Sequence, residues 1–291
     1  MLDEMSGVID EVLRPADLAQ ALALLAEGGG RRRPIAGGTD LLVQAKEPGA
    51  PPRGLVDLWG LDELRGITAE PDRIVVGANT TMTEVLASEL LRAEARCLWD
   101  GCYEAGSVQI RNRATLGGNA ANASPAADSV LGLIALGAEA RIASVRGERR
   151  LPVEELATAP RRTALAPDEL ILAFSFPRAG GRSAFARLGQ RRAQAISKVS
   201  CAIHAQLDDQ GCVQAARVAF GAVAPRVVRS PGAEAALRGH SLTDPSARAA
   251  AAVAARADTA PIDDLRSTRA YRSEMVGVLL TRLLVRLAGE A

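Results

Sequence analysis

Two glycine pairs carry the residue types from which an anion site can be built. One lies in Pro34-Ile-Ala-Gly-Gly-Thr-Asp-Leu-Leu42, the other in Thr115-Leu-Gly-Gly-Asn-Ala-Ala-Asn-Ala-Ser-Pro-Ala-Ala-Asp128. At Gly37, Gly38, Gly117 and Gly118 no Cβ stands between the backbone and a ligand, and a concave run of exposed N–H groups binds phosphate. Thr39 and Thr115 add hydroxyls. Asn119 adds an amide side chain and tolerates a left-handed backbone. Asp128 follows a Ser-Pro turn, where its carboxylate could accept hydrogen bonds from sugar hydroxyls. Two such turns facing each other would grip a pyrophosphate from both sides. Charge-assisted amide contacts contribute roughly 1.5–3 kcal/mol each, so several converging amides hold such a ligand without a lysine at either turn.

Other chemistries find little support. The G-x-G-x-x-G fingerprint is absent at both turns, which argues against a Rossmann dinucleotide site. No Ser-His-Asp or Cys-His arrangement is apparent, so no catalytic residue is assigned. Cys97, Cys102, Cys201 and Cys212 are scattered and form no C-x-x-C pair. That spacing argues against an iron–sulfur cluster or structural zinc, and the thiols read as small buried hydrophobes. His204 and His240 are the only histidines, which excludes a histidine-rich metal site. The 35 basic and 34 acidic residues nearly cancel, so no stripe for nucleic acid or an anionic membrane is indicated. Arg31-Arg32-Arg33 reads as a solvated loop. No secretory leader and no bilayer-length apolar run is found, from which a cytoplasmic location is expected.

The elements that must position these residues can be read in order. Asp17 opens a helix with Leu18, Ala21, Leu22 and Leu25 on one face, and Gly28-Gly29-Gly30 ends it. A strand at 34–36 enters the first glycine turn, and a short helix over 40–46 leaves it, its N-terminus favouring an anion. After a proline-rich connector comes a strand at 54–58. Further strands are expected at 73–77, 140–143, 150–153 and 168–176. Thr81-Met-Thr-Glu84 matches a capping box, helical text runs over 88–103, and a helix after Pro125 buries Val130, Leu131, Ile134 and Leu136. Arg111 and Arg113 on the approach to the second turn could neutralise phosphate, but exposed arginines are common in this chain and both stay outside the assigned site. Beyond Gly180-Gly181, strands at 183–188, 199–207 and 213–220 precede helices at 231–237, 246–256 and 267–287. The last two of these strands are joined by the hairpin turn Asp208-Asp-Gln-Gly211. Strands followed by helices imply a separate α+β domain.

Ala36-Gly-Gly-Thr-Asp40 followed by Thr115-Leu-Gly-Gly-Asn119 resembles the paired signature of the FAD-binding medium subunit of molybdenum hydroxylases, the group of xanthine and carbon monoxide dehydrogenases. Arg187-Leu-Gly-Gln-Arg-Arg192 and Ala219-Phe-Gly-Ala-Val-Ala-Pro225 extend the resemblance into the C-terminal part. It implies an α+β chain: a two-subdomain FAD-binding domain of the vanillyl-alcohol-oxidase (PCMH) type, 1–58 and 59–178, then a C-terminal α+β domain, 179–291. It implies that FAD is held by Ala36, Gly37, Gly38, Thr39, Asp40, Thr115, Leu116, Gly117, Gly118 and Asn119. It would place Asp128 on FAD hydroxyls, Ile171 against the flavin and Arg187 near it. On the residues alone Ile171 reads as an ordinary core isoleucine and Asp128 as a helix N-terminal charge. Neither histidine lies near a glycine turn, so the FAD is expected to be non-covalent. The resemblance further implies partners: a small [2Fe–2S] subunit and a large molybdenum-cofactor subunit, assembled as a dimer of heterotrimers. Electrons would pass from the clusters through FAD to NAD⁺, oxygen, a quinone or another acceptor. A stand-alone flavin-dependent oxidase and a non-catalytic scaffold subunit are the alternatives.

Overall fold

The computed structural model describes residues 9–46, 54–178, 180–191 and 193–289. The connector at 47–53 and Arg192 lie outside the described residues. The chain begins with β1 (Glu11–Leu13), α1 (Leu18–Gly28), β2 (Arg32–Ile35), α2 (Leu41–Gln44) and β3 (Gly54–Asp57). The three strands form a parallel sheet in the order β1-β3-β2. Parallel neighbours need crossovers, and α1 is the first. The Asp17 side chain caps α1 by accepting from the Gln20 N–H, and Gly29 closes it in the left-handed region at φ 53°. Ala21 and Leu25 are fully buried, in one cluster with Val56 and Leu58.

The middle of the chain comprises β4 (Ile67–Ala69), β5 (Arg73–Gly77), α3 (Met82–Ala87), α4 (Glu89–Glu94), α5 (Arg96–Glu104), α6 (Val108–Arg111), α7 (Leu116–Ala121) and α8 (Asp128–Ala135). There follow β6 (Glu139–Ser144), β7 (Gly147–Pro152), α9 (Val153–Leu156), β8 (Ala157–Ala159), β9 (Arg162–Thr163) and β10 (Leu170–Pro177). The expected capping box is formed: Glu84 N–H donates to Thr81 Oγ1 at 3.2 Å, and Thr81 N–H donates to Glu84 Oε2 at 2.7 Å. The helical text at 88–103 is two helices, not one. Ala95, fully buried, leaves helical geometry between α4 and α5, and its residue type gives no sign of the break.

An antiparallel sheet of order β4-β5-β10-β6-β7 spans this part. Its central strand, β10, is buried on both faces, and a bulge between Ile171 and Ala173 sets which side chain goes where. Leu170 and Leu172 pack in the cluster with α1, whereas Ile171, Phe174 and Phe176 join the cluster with α5 and α8. Strict alternation would put 170, 172, 174 and 176 on one face. The extra residue of the bulge reverses the phase midway.

The last part is β11 (Arg182–Leu188), β12 (Val199–Leu207), β13 (Val213–Gly221), β14 (Val228–Arg229), α10 (Pro231–Leu237), α11 (Pro245–Ala257) and α12 (Arg269–Ala288). The strands form an antiparallel sheet in that order. Alternate residues face opposite layers. Val199, Cys201 and Ile203 pack with Val276, Leu280 and Leu284 of α12, while Ala202 joins Phe185, Ala219 and Leu131 of α8. The sheet is thus layered between the C-terminal helices and the helices of the preceding part, and the molecule is α+β throughout.

Truncating Phe174, which is fully buried at the centre of the sheet, is expected to cost about 3–5 kcal/mol in Phe174→Ala. Val145→Ala, at an exposed position, should fall within about 0.5 kcal/mol of the parent. Urea unfolding of both proteins checks this.

Candidate functional site

The first glycine pair forms a true turn. Gly38 sits at φ 72°, a region that favours glycine, and a Cβ at Gly37 would overlap the carbonyl oxygen of Arg113. The backbones of the first and middle parts of the chain therefore touch here. Among the described residues, the N–H groups of Gly37, Gly38, Thr39 and Asp40 donate to no protein acceptor. The carbonyls of Gly38 and Asp40 meanwhile accept from Leu42, Val43 and Gln44 as α2 begins. The turn presents donors and withholds acceptors, which suits an anion. Burial raises the Asp40 carboxyl above its ordinary range, and the charge of Arg161 opposes that shift.

The second pair is not a turn, which corrects the expectation of two facing bends. Thr115 is an N-cap, its Oγ1 accepting from Gly118 N–H at 3.1 Å, and Gly117, Gly118 and Asn119 form the first turn of α7. Asn119 is therefore helical, not left-handed. Its Oδ1 accepts from Ser129 Oγ at 2.7 Å. Leu116 N–H donates to Thr80 O at 3.1 Å and Gly117 N–H to Ala78 O at 2.8 Å, so these amides secure α7 rather than face a ligand. What the second pair supplies is close approach: a Cβ at Gly117 would come within 2.7 Å of the Ala78 Cβ, and a Cβ at Gly118 would meet the capping Thr115 Oγ1 at 2.9 Å and no other neighbour within 4 Å.

An open cleft of about 120 Å³ runs between the pairs. Ala36, Gly37, Gly38, Thr39, Asp40, Thr115, Gly118 and Asn119 line it. A second cavity of about 90 Å³ shares Pro34, Ala36, Gly118 and Ala121 with it and is walled mainly by Gly117, Leu58, Leu165, Leu170 and Ile171, with Asn79 and Glu169 at its polar edge. Leu116 is buried and lines neither. Gln44 Nε2 donates to Asn122 Oδ1 at 2.8 Å, tying α2 to the end of α7. One end of this trough offers amides and hydroxyls and the other offers aliphatic walls, which matches a diphosphate carrying a flat apolar ring. The bare backbone at Gly118 leaves room where a side chain would intrude.

Asp128 and Arg187 line neither cavity; they meet each other. The Arg187 Nη1 lies 3.6 Å from Asp128 Oδ2, and both side chains are only 6% exposed. Asp128 also accepts from Ser197 Oγ at 3.0 and 3.1 Å. Burial pushes the Asp128 carboxyl up to about 6, against the charge of Arg187 and the hydroxyls of Ser197 and Ser200. Arg111 caps the end of α5 through Tyr103 O, Ala105 O and Gly106 O, and Arg113 lies 3.6 Å from the ring centroid of Trp59. Cys97, Cys102 and Cys201 are buried thiols, as expected, and Cys212 is half-buried. Arg161, Gln44 and Ser197 escaped the sequence reading, since nothing in their neighbourhood distinguishes them before the chain folds.

The unfolded Asp128 carboxyl releases its proton near pH ~3.9, whereas the folded chain holds it to about 6. Between these values the folded state binds more protons, so this carboxyl makes the protein lose stability as pH rises through that window. Asp128→Asn should flatten the melting temperature against pH between about 4 and 6. Calorimetry across that range checks it.

Residues 6–179 match the family described as the FAD binding domain in molybdopterin dehydrogenase, and residues 184–287 match the CO dehydrogenase flavoprotein C-terminal domain. A putative xanthine dehydrogenase FAD-binding subunit of Escherichia coli (strain K12) is 32% identical, with 93% of each chain covered. The carbon monoxide dehydrogenase medium chain of Afipia carboxidovorans is 32% identical, with 96% of each covered. The structure resembles reconstituted CO dehydrogenase from Oligotropha carboxidovorans at a TM-score of 0.91 and 31% identity, covering 98% of this chain and 99% of that one. It also resembles quinoline 2-oxidoreductase from Pseudomonas putida 86, at 0.89 and 27%, covering 97% and 98%. Both halves thus point one way: the chain belongs to the FAD-binding medium subunits of the molybdenum hydroxylases, a family of oxidoreductases.

Proposed function

We propose that this chain is the flavin subunit through which a molybdenum hydroxylase delivers electrons to an outside acceptor. The observation that carries the reading is the run of uncommitted amides at 37–40 opening onto a trough with aliphatic walls. In this reading the amides of Gly37, Gly38, Thr39 and Asp40 bind the pyrophosphate of FAD, assisted by the hydroxyls of Thr39 and Thr115. Ala36, Gly117 and Gly118 border the cofactor without obstructing it, Leu116 secures the helix start, and Asn119 faces the cleft. Ile171 walls the ring end, and Asp128 and Arg187 serve its hydroxyls and ring from the domain junction. FAD, when bound, supplies the capacity to collect electrons singly and release them in pairs. The chain's task is to orient that cofactor and keep water from its buried edge. We take 1–58, 59–178 and 179–291 as its subdomains.

The relatives named as medium chains and FAD-binding subunits support a place beside a small [2Fe–2S] chain and a large molybdenum-cofactor chain, in a dimer of heterotrimers. NAD⁺, oxygen and a quinone are the acceptor classes to test.

Purified protein mixed with FAD should be yellow and quench the flavin's fluorescence. Gly118→Leu should weaken FAD binding at least tenfold, about 1.4 kcal/mol, because it adds bulk at a position lining the cleft; circular dichroism checks that the fold survives the crowding of Thr115. A protein indifferent to FAD overturns the reading and favours the scaffold role. Flavin bands that persist when the reduced iron–sulfur partner is added overturn the electron route alone.

A further inference from the structure

The guanidinium of Arg187 is held differently from those of Arg149, Arg178 and Arg229, and in the manner of Arg32, which gives Glu11 its Nε and Leu24 O its Nη1 but is more exposed, at 21% against 6%. Arg149, Arg178 and Arg229 each grip a glutamate with both Nε and Nη2, at 2.6–2.8 Å. Arg187 gives Glu104 only its Nε, at 2.8 Å to Oε2, and donates from Nη1 to Ala195 O at 2.6 Å. Among the described residues Nη2 has no acceptor, and it is not among the buried unpartnered atoms, so it retains access to solvent. The side chain around it is nonetheless only 6% exposed. A buried guanidinium is costly unless its donors are satisfied, and here Nε and Nη1 are anchored within the protein while Nη2 is open to solvent or a ligand.

The anchors come from separate elements. Glu104 ends α5, Asp128 begins α8 and Ala195 lies in the loop between β11 and β12, while Arg187 itself stands on β11, directly opposite Ser200 of β12. Glu104 is the only one of these that accepts through a carboxylate within hydrogen-bond distance of Arg187. Asp128 stands at 3.6 Å, too far for a direct bond.

We infer that Glu104 is a positioning residue, which orients the Arg187 guanidinium so that Nη2 is the donor offered to an electron-rich edge of the flavin. The inference rests on the proposed placement of Arg187 beside FAD. Arg187 would act on the cofactor directly, and Glu104 only through Arg187. A fixed cation at the ring favours the reduced, more electron-rich cofactor over the oxidised one. Freeing the guanidinium therefore lowers the midpoint potential as well as the affinity.

The test measures the FAD dissociation constant and the flavin midpoint potential in the full chain and in Glu104→Ala, Glu104→Gln, Arg187→Met and the double variant Glu104→Ala with Arg187→Met. Glu104→Ala should weaken FAD binding about tenfold and lower the potential by about 30 mV, the two-electron equivalent of a tenfold preference. Glu104→Gln, which keeps an oxygen for Nε, should recover most of both. In the Arg187→Met background the loss of Glu104 should add nothing. A Glu104→Ala protein with a lowered melting temperature but unchanged affinity and potential overturns the inference, as does an effect that persists without Arg187. Arg187→Met with wild-type affinity and potential overturns the placement of Arg187 at the flavin, and this inference with it. An effect of Arg187→Met that Glu104→Ala does not share overturns the inference alone.

Discussion

A main chain can hold a diphosphate with its own amides only where those amides are left unpaired, and unpaired amides are tolerated only where something other than protein satisfies them. An orphaned buried donor costs about 1–3 kcal/mol. The turn at Gly37-Gly38 meets that constraint by keeping four successive N–H groups on the wall of an open cleft. The turn is held from behind. Gly37 rests on the carbonyl of Arg113, α2 starts from the carbonyls of Gly38 and Asp40, and Gln44 reaches Asn122.

A second constraint acts at the junction with the C-terminal domain. The sheet of β11 to β14 uses both faces, one on its own helices and one on α8. A cluster of charged and hydroxyl groups sits at that seam, with Arg187 between Glu104 and Asp128, and Ser197 and Ser200 beside Asp128. Such buried charge is poor evidence for stability, because desolvation offsets the attraction. Its retention at a seam between three elements fits a site where orientation matters more than binding energy between the partners.

Much of this was legible in the residues. The caps at Asp17 and Thr81, the glycine closing α1, the strands at 73–77 and 199–207 and the long C-terminal helix follow from local chemistry and periodicity, and local chemistry is present in the sequence. The misreadings have a common cause. Asn119 looked left-handed beside two glycines, but Thr115 caps a helix that imposes its own geometry. The break at Ala95 and the bulge at Leu172 leave no mark in residue type: Ala95 is a helix former and Leu172 an ordinary strand residue. Strands of two or three residues, such as β1, β4 and β14, hold less than two periods of alternation and leave no pattern to read. Arg161 meets Asp40, and Glu104 meets Arg187, only after distant segments have packed. The family resemblance supplied Arg187 as a candidate but not its anchor.

The two glycine pairs look alike in sequence and do different work. At Gly38 the need is conformational: an L-residue held left-handed is disfavoured by roughly 1–2 kcal/mol whether or not a ligand is present. At Gly118 the backbone is helical and ordinary, and any residue could adopt it. Glycine there lowers helix stability by about 1 kcal/mol relative to alanine, but a Cβ at Gly118 would come within 2.9 Å of Thr115 Oγ1, the oxygen that caps α7. At Gly117 a Cβ would come within 2.7 Å of the Ala78 Cβ, where α7 rests on the end of the second sheet. The first pair therefore answers a conformational need at Gly38, and the second answers close packing at the start of α7, which is how the same two letters bring both backbones to the edge of one cleft.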